Sequence, residues 1–187
     1  MEGRAIFYEA EQFSFVQTLE THGSQVQAEL DQLAPQNFIA WPEKYLYGKG
    51  WDIFGLYAFG IKIAQNCRLC PRTTALVEGI PDLVTAGFSS LAPGVAIAPH
   101  HGYPDGLLRC HLGLRVPPDC ALRVGLETRR WQEGRCLVFD DTTEHEAWNR
   151  SSQQRIVLLL DFKAPVGFFA PPPCPVRTGL LSFFRRK

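Results

Sequence analysis

The chain has 187 residues, 45% of them hydrophobic and 20% charged, a balance that suits one globular domain with a substantial core and excludes a disordered chain. Its 19 lysines and arginines are matched by 19 aspartates and glutamates, which leaves no basic excess to recruit nucleic acid. No run of about 18 apolar residues occurs, so no membrane span is expected; the segment MEGRAIFYEAEQF lacks the basic-then-apolar order of a secretory signal, and the expectation is a cytoplasmic protein.

Residues 9–33 carry Phe13, Val16 and Leu19, then Val26, Leu30 and Leu33, at spacings of three and four, which predicts helix with a kink or break at Gly23. The aromatic, glycine-bearing stretch from Trp41 to Gly60 mixes strand and loop signals and predicts a strand or two. Cys67 and Cys70 form a CxxC pair, but no second pair and no suitably spaced histidines accompany it. Buried, reduced thiols are therefore preferred to structural zinc or redox chemistry. A short helix is predicted over Thr73 to Glu78, opened by Pro71 and closed by Gly79 and Pro81.

From about Ala86 the pattern changes to short runs rich in valine, isoleucine, leucine and phenylalanine. Turn signals separate them at Pro93-Gly94, Pro104-Asp105-Gly106, Pro117-Pro118-Asp119, Glu133-Gly134 and Asn149 to Ser152. Such spacing predicts an antiparallel sandwich or barrel. The expected fold is mainly β with helices: a helical and aromatic layer over 9–82, a cupin-like double-stranded β-helix (jelly roll) over 84–164, and a proline-rich tail over 165–187. The tail ends GLLSFFRRK, an apolar-then-basic sequence that suits a weak contact with a membrane surface less well than a plain packed terminus.

The β-rich half also carries the chemistry. His100 follows Pro99 at a strand end, and His145 stands just after the run CLVFD; a neutral imidazole offers a lone pair to a metal. In a jelly roll such positions meet at one mouth of the barrel. Arg155, ten residues after His145, adds a planar guanidinium suited to a carboxylate. Together these residues outline an iron- and 2-oxoglutarate-dependent oxygenase. Taken singly, each histidine has a plainer reading: His22 and His101 as exposed residues, His111 on CHLGL as a core residue. The facial triad of such oxygenases normally includes a carboxylate two residues after the first histidine. Here His100-His101-Gly102 puts glycine in that place. Either two histidines and waters hold the metal, or an anion fills the gap, or no metal binds. Asp105 and Asp141 are the nearby acids available as substitutes.

These residues sit in segments that resemble the aspartyl/asparaginyl β-hydroxylase family of iron(II)/2-oxoglutarate oxygenases. The resemblance runs from GWDIFGLYAFG and NCRLCPRTTALVEGIP to LVFDDTTEHEAWNRSSQQRIVLLLDF, and is most specific in APHHGYPDGLLRCHLGLRVP and FDDTTEHEAWN. It implies an iron site of two histidines with glycine in the carboxylate's place, and so makes His100 and His145 the iron ligands. It implies Arg155 and Ser89 on the distal carboxylate of 2-oxoglutarate. Arg109 and His111, which alternate on one strand and so face one way, would contact the other end of the co-substrate near the metal. Asp141 would partner a ligand or water. Asp140, Glu144 and Glu146 read as turn, cap or solvated charge, and Trp131 and Trp148 as core.

The implied reaction consumes 2-oxoglutarate and oxygen, releases succinate and carbon dioxide, and hydroxylates an unactivated carbon; halogenation stays open as a minor variant. The expected acceptor is the β-carbon of an aspartyl, asparaginyl or related side chain in a peptide or small metabolite, with a lipid acyl chain as the alternative. Leu107 stands where protein-modifying members carry a basic residue, which weakens transfer of their pocket. A jelly roll that binds 2-oxoglutarate or metal without turnover is the competing class, and a cupin-type isomerase or sugar-binding protein a third.

Overall fold

The computed structural model describes residues 6–103, 106–165 and 168. Its strands are β1 (Phe7–Tyr8), β2 (Ile39–Ala40), β3 (Trp51–Ala58), β4 (Ile61–Lys62), β5 (Leu83–Leu91), β6 (Ala96–His100), β7 (Leu107–Arg115), β8 (Cys120–Val124), β9 (Glu127–Arg129), β10 (Cys136–Asp140), β11 (His145–Asn149) and β12 (Arg155–Lys163). The helices are α1 (Ser14–Thr21), α2 (Gly23–Leu30), α3 (Ala64–Leu69) and α4 (Pro71–Glu78). One sheet runs β1-β10-β7-β12-β5-β3-β2, with β4 on β3; the other runs β6-β11-β8-β9. Every pairing is antiparallel. The fold is the expected double-stranded β-helix, mostly antiparallel sheet with a few helices.

β12 shows why this sequence folds this way. Every residue from Arg155 to Phe162 is buried, because the strand lies between β7 and β5 and is covered on both faces. A strand buried on both faces reads as a nearly continuous apolar run rather than an alternation. The alternation decides which core each side chain joins. Ile156, Leu158, Leu160 and Phe162 pack with the helices, against Val16, Leu19, Val26 and Val77. Val157 and Leu159 join the second core between the sheets, with Leu91, Leu122, Val124 and Phe139. By the same two-residue period Arg155 and Asp161 face that inner space. β7 repeats the pattern: Leu108, Cys110, Leu112 and Leu114 turn to the helices, which leaves Arg109 and His111 on the inner face.

The helical segment divides at Gly23, as its sequence predicts, into α1 and α2 of eight residues each, which meet at His22. Pro71 is the first residue of α4, where its missing N–H costs nothing. α3 is new: six residues offer too few apolar repeats to show a period. The aromatic stretch supplies β2 and β3 and extends the larger sheet. Cys67 and Cys70 are buried among the helices, and burial pushes the Cys70 thiol up to about 12, the behaviour of a packed, unreactive thiol. Among the described residues no helix is long and apolar enough to cross a membrane. Asp105, Cys174 and the 169–187 part of the tail lie outside the described residues.

Leu158 is fully buried in the layer between helices and sheet, whereas Leu126 is fully exposed. Leu158→Ala should therefore lower the unfolding free energy in urea by about 2–5 kcal/mol. Leu126→Ala should change it by no more than about 0.5 kcal/mol.

Candidate active site

His100 and His145 are register partners across β6 and β11, and their rings lie 4.2 Å apart between centroids. The Nδ1 of His100 is 2.8 Å from the Ala98 carbonyl, and the Nδ1 of His145 is 2.9 Å from the Thr143 carbonyl. A carbonyl only accepts, so each Nδ1 carries the hydrogen and each Nε2 presents a lone pair. Burial, Arg109 and His100 push the His145 imidazole down to about 3, which keeps it neutral. Its Nε2 is buried with no hydrogen-bond partner and faces Asp141 Oδ1 at 3.4 Å. A lone pair opposite a carboxylate oxygen in a buried space is an arrangement that a cation satisfies. No group of three His, Cys, Asp or Glu side chains among the described residues has metal-holding geometry, and the histidine pair is the set of lone pairs the cleft offers.

Gly102 explains where the carboxylate went. A Cβ at this position would stand 1.8 Å from Asp141 Oδ2 and 2.7 Å from the Asp141 carbonyl oxygen, which accepts the Gly102 N–H at 2.8 Å. The Asp141 carboxylate thus occupies the volume that a side chain at 102 would need. Arg109 holds it there. The guanidinium donates from Nε and Nη2 to both oxygens of Asp161, at 2.6 and 3.0 Å, and its Nη1 makes an ion pair with Asp141 at 2.9 Å. Burial alone would lower the Arg109 pKa; the two carboxylates outweigh it and hold the pKa above its ordinary value. Burial pushes Asp161 upward against the pull of Arg109. Arg109 is expected from sequence to contact the co-substrate, and it does line the cleft beside His100 and His101, but its charge is already engaged.

The third histidine has the opposite tautomer. Trp131 Nε1 donates to His111 Nδ1 at 3.2 Å, so the hydrogen of the neutral ring sits on Nε2, buried and without a partner. Burial, then Arg109 and Arg155, hold its pKa well below the usual range. His111 therefore offers a donor, not a lone pair. Phe139 lies between it and His145, 5.3 and 5.6 Å from the two rings.

Beyond Trp131 stands Arg155, its guanidinium 4.8 Å from the indole centroid. Its Nε is buried without a partner, and its described hydrogen bond is a long one, from Nη1 to the Ser89 carbonyl at 3.4 Å. Burial lowers its pKa to about 10, still charged at neutral pH. Ser89 Oγ accepts from Trp51 Nε1 at 3.0 Å and keeps its own hydrogen to donate. His111, Ser89 and Arg155 are thus a set of donors, and no described carboxylate makes an ion pair with Arg155.

The family model for aspartyl/asparaginyl β-hydroxylases matches residues 20–165. The chain belongs to this family. Among curated relatives, the ornithine lipid ester-linked acyl 2-hydroxylase of Rhizobium tropici is 47% identical over 119 residues, covering 62% of this chain and 42% of that protein. The human aspartate β-hydroxylase domain-containing protein 2 is 39% identical over 124 residues, 62% of this chain and 34% of that protein. The human aspartyl/asparaginyl β-hydroxylase is 36% identical over 123 residues, 62% of this chain and 16% of that protein. The match thus spans less than half the length of each of these relatives. Solved structures are more distant. The plu4264 protein of Photorhabdus luminescens has a TM-score of 0.46 at 9% identity over 71% of this chain and 85% of its own. A cupin domain of an XRE-family transcriptional regulator from Enterobacter cloacae has 0.44 at 13% identity, over 63% of this chain and all of its own. Likeness of this degree concerns the fold and carries nothing about activity.

Members of the constellation that sequence reasoning missed are Asp161, Trp51 and Trp131. Asp161 had a readable signal, as an acid six residues after Arg155 and therefore on the same inner face of β12. Trp131 was expected as core; it is buried, yet its N–H sets the His111 tautomer and its ring backs Arg155. Trp148 is half-buried, under the Arg150 guanidinium. Asp140 accepts from the backbone and hydroxyl of Thr142 at 3.0 and 2.6 Å, and Glu144 and Glu146 pair with Arg123, as turn residues and surface charges do.

An unfolded histidine protonates near ~6.5, whereas native His145 resists to about 3. Between these values the unfolded state binds more protons, so metal-free protein should lose stability as pH falls from 7 toward 3, with a limiting slope of about 1.4 kcal/mol per pH unit for each such imidazole. Thermal midpoints against pH should show a shallower decline in His145→Asn. Separately, Gly102→Ala should destabilise by about 1–3 kcal/mol through its clash with Asp141. Urea unfolding of the double variant with Asp141→Ala should show a total cost well below the sum of the single ones.

Proposed function

We propose that this member of the family is an iron(II)/2-oxoglutarate-dependent hydroxylase. The observation that carries the reading is Arg155, a buried guanidinium that no described acid pairs with, on the larger sheet, while the smaller sheet carries two histidines that present lone pairs. An isolated buried charge costs several kcal/mol, and a carboxylate of the co-substrate removes that cost. His100 and His145 hold the iron through Nε2. Arg155 and the Ser89 hydroxyl take the distal carboxylate of 2-oxoglutarate, and His111 Nε2–H donates to an oxygen nearer the iron. Asp141 lies beside the histidine pair as acceptor for a bound water, and Arg109 serves as the strut that positions it.

Iron, 2-oxoglutarate and oxygen together supply the oxidising power for hydroxylation, with succinate and carbon dioxide as the co-products. The protein's share is to bind the dicarboxylate in one orientation, keep the His145 imidazole neutral, and shield the site behind Phe139, Trp51 and Trp131. The acceptor is an unactivated carbon, and the names of the relatives include both aspartyl or asparaginyl groups and a lipid acyl chain.

The test is anaerobic titration of iron-loaded protein with 2-oxoglutarate, followed through the visible metal-to-ligand charge-transfer band. The band should appear in the natural sequence and be lost in His145→Ala. In Arg155→Ala the 2-oxoglutarate affinity should fall roughly thirtyfold or more, corresponding to about 2–5 kcal/mol. Iron bound with no band would leave a metal-binding jelly roll with another co-substrate, and an unchanged affinity in Arg155→Ala would place the clamp elsewhere.

A further inference from the structure

Serine and neutral histidine can both accept or donate: a hydroxyl turns, and an imidazole can carry its hydrogen on either nitrogen. An indole N–H only donates. On the inner face of the larger sheet two indoles meet these two-way groups. Trp51 Nε1 donates to Ser89 Oγ at 3.0 Å, and Trp131 Nε1 donates to His111 Nδ1 at 3.2 Å. Each bond takes up a lone pair and turns the remaining hydrogen away from the indole. Ser89 is left with its O–H, and His111 with its Nε2–H, which is buried and has no partner. Both residues flank β12, Ser89 opposite Val157 and His111 opposite Leu159, on the face where Arg155 also lies.

The fold holds both indoles in place by specific means. Gly113 follows His111 by two residues on β7, and a Cβ there would stand 2.3 Å from the Gln132 carbonyl oxygen. Its N–H donates to the Arg135 carbonyl at 3.0 Å, and its carbonyl accepts from Gly134 N–H at 2.9 Å. The bare position thus lets the segment that carries Trp131 lie directly on β7 beside His111. Trp51 is stacked on Trp41, with centroids 4.5 Å apart and planes 8° from parallel, and Tyr47 meets it edge-on at 5.4 Å. The Tyr47 hydroxyl donates to the Trp41 carbonyl at 2.6 Å and closes that cluster. Apolar filling alone would be met by phenylalanine at 51 and 131; the N–H groups do something that phenylalanine cannot.

We infer that Trp131 and Trp51 are positioning residues that fix the polarity of the co-substrate pocket. They make donors of His111 and Ser89, so the pocket takes a group that only accepts, a carboxylate, and turns away the isosteric amide. An amide NH2 would leave a buried donor facing donors, the kind of mismatch that polar sites reject most strongly. This deepens the hydroxylase reading and rests on it for the identity of the anion. The His111 tautomer, by contrast, is a property of the protein without metal or co-substrate.

Nitrogen-15 NMR of the metal-free protein reads the tautomer. His111 should carry its hydrogen on Nε2 in the natural sequence, and the Nδ1–H form should appear in Trp131→Phe, which keeps a ring over Arg155. Calorimetry of anaerobic, iron-loaded protein then compares N-oxalylglycine, an isostere of 2-oxoglutarate, with its distal amide, N-oxalylglycinamide. Trp131→Phe should weaken N-oxalylglycine about three- to tenfold, the loss of one buried hydrogen bond. Trp51→Phe should lower the preference for carboxylate over amide about tenfold. Trp148→Phe, whose indole lies under Arg150 instead, should leave both affinities unchanged. A mere loosening of the fold would weaken both probes alike. An unaltered preference in Trp51→Phe, or His111 with its hydrogen on Nδ1 in the natural sequence, would therefore overturn the assignment. N-oxalylglycine binding that is absent, or unchanged in Arg155→Ala, defeats the co-substrate reading and the pocket assignment with it, even where the tautomer follows Trp131.

Discussion

Arg109 stands between two buried carboxylates, and much of the site depends on that contact. Asp161 is its register partner on β12 and takes two of its nitrogens, while Asp141, in the turn after β10, meets the third. Three neighbouring strands of the larger sheet are thereby tied at the end where the histidines lie. The pairing also lets a carboxylate sit beside His145 without an isolated negative charge in the interior. Removing one partner of such a group leaves an uncompensated buried charge, at a cost of about 3–5 kcal/mol. Gly102 is the steric counterpart of this cluster, since a side chain there would displace Asp141.

Two buried arginines of one inner face therefore have different duties. Arg109 is neutralised by the protein and acts as scaffold. No described carboxylate pairs with Arg155, whose Nε is buried without a partner. The histidines divide in the same way. His100 and His145 have carbonyls at Nδ1 and offer lone pairs, while His111 has an indole N–H at Nδ1 and offers a donor. Lone pairs on the smaller sheet and donors on the larger one suit a cation and an anion held side by side.

Much of this was legible in the chain. The shift from three-and-four spacing to short β-branched runs marks the change from helical layer to jelly roll, and β12 reads as a strand covered on both faces. The positions of His100, His145, Ser89, His111 and Arg155 could be named because specific segments resemble a family. Two aspects were less legible. α3 is too short to carry a period. β2, of two residues, is shorter still and falls in a stretch that reads as mixed signals.

The sequence by itself determined, through the two-residue period of a strand, which polar residues share a face: Arg109 with His111, and, readable though not read, Arg155 with Asp161. Local constraints suffice for that, since they act over a few bonds. Only the tertiary structure decided what each polar group meets. Arg109 finds Asp161 across 52 residues of chain, Ser89 finds Trp51 across 38, and Trp131 finds His111 across 20. Whether a buried charge is satisfied or left waiting for a ligand is set by such distant partners, because desolvation depends on everything that surrounds a group and not on its neighbours in the chain.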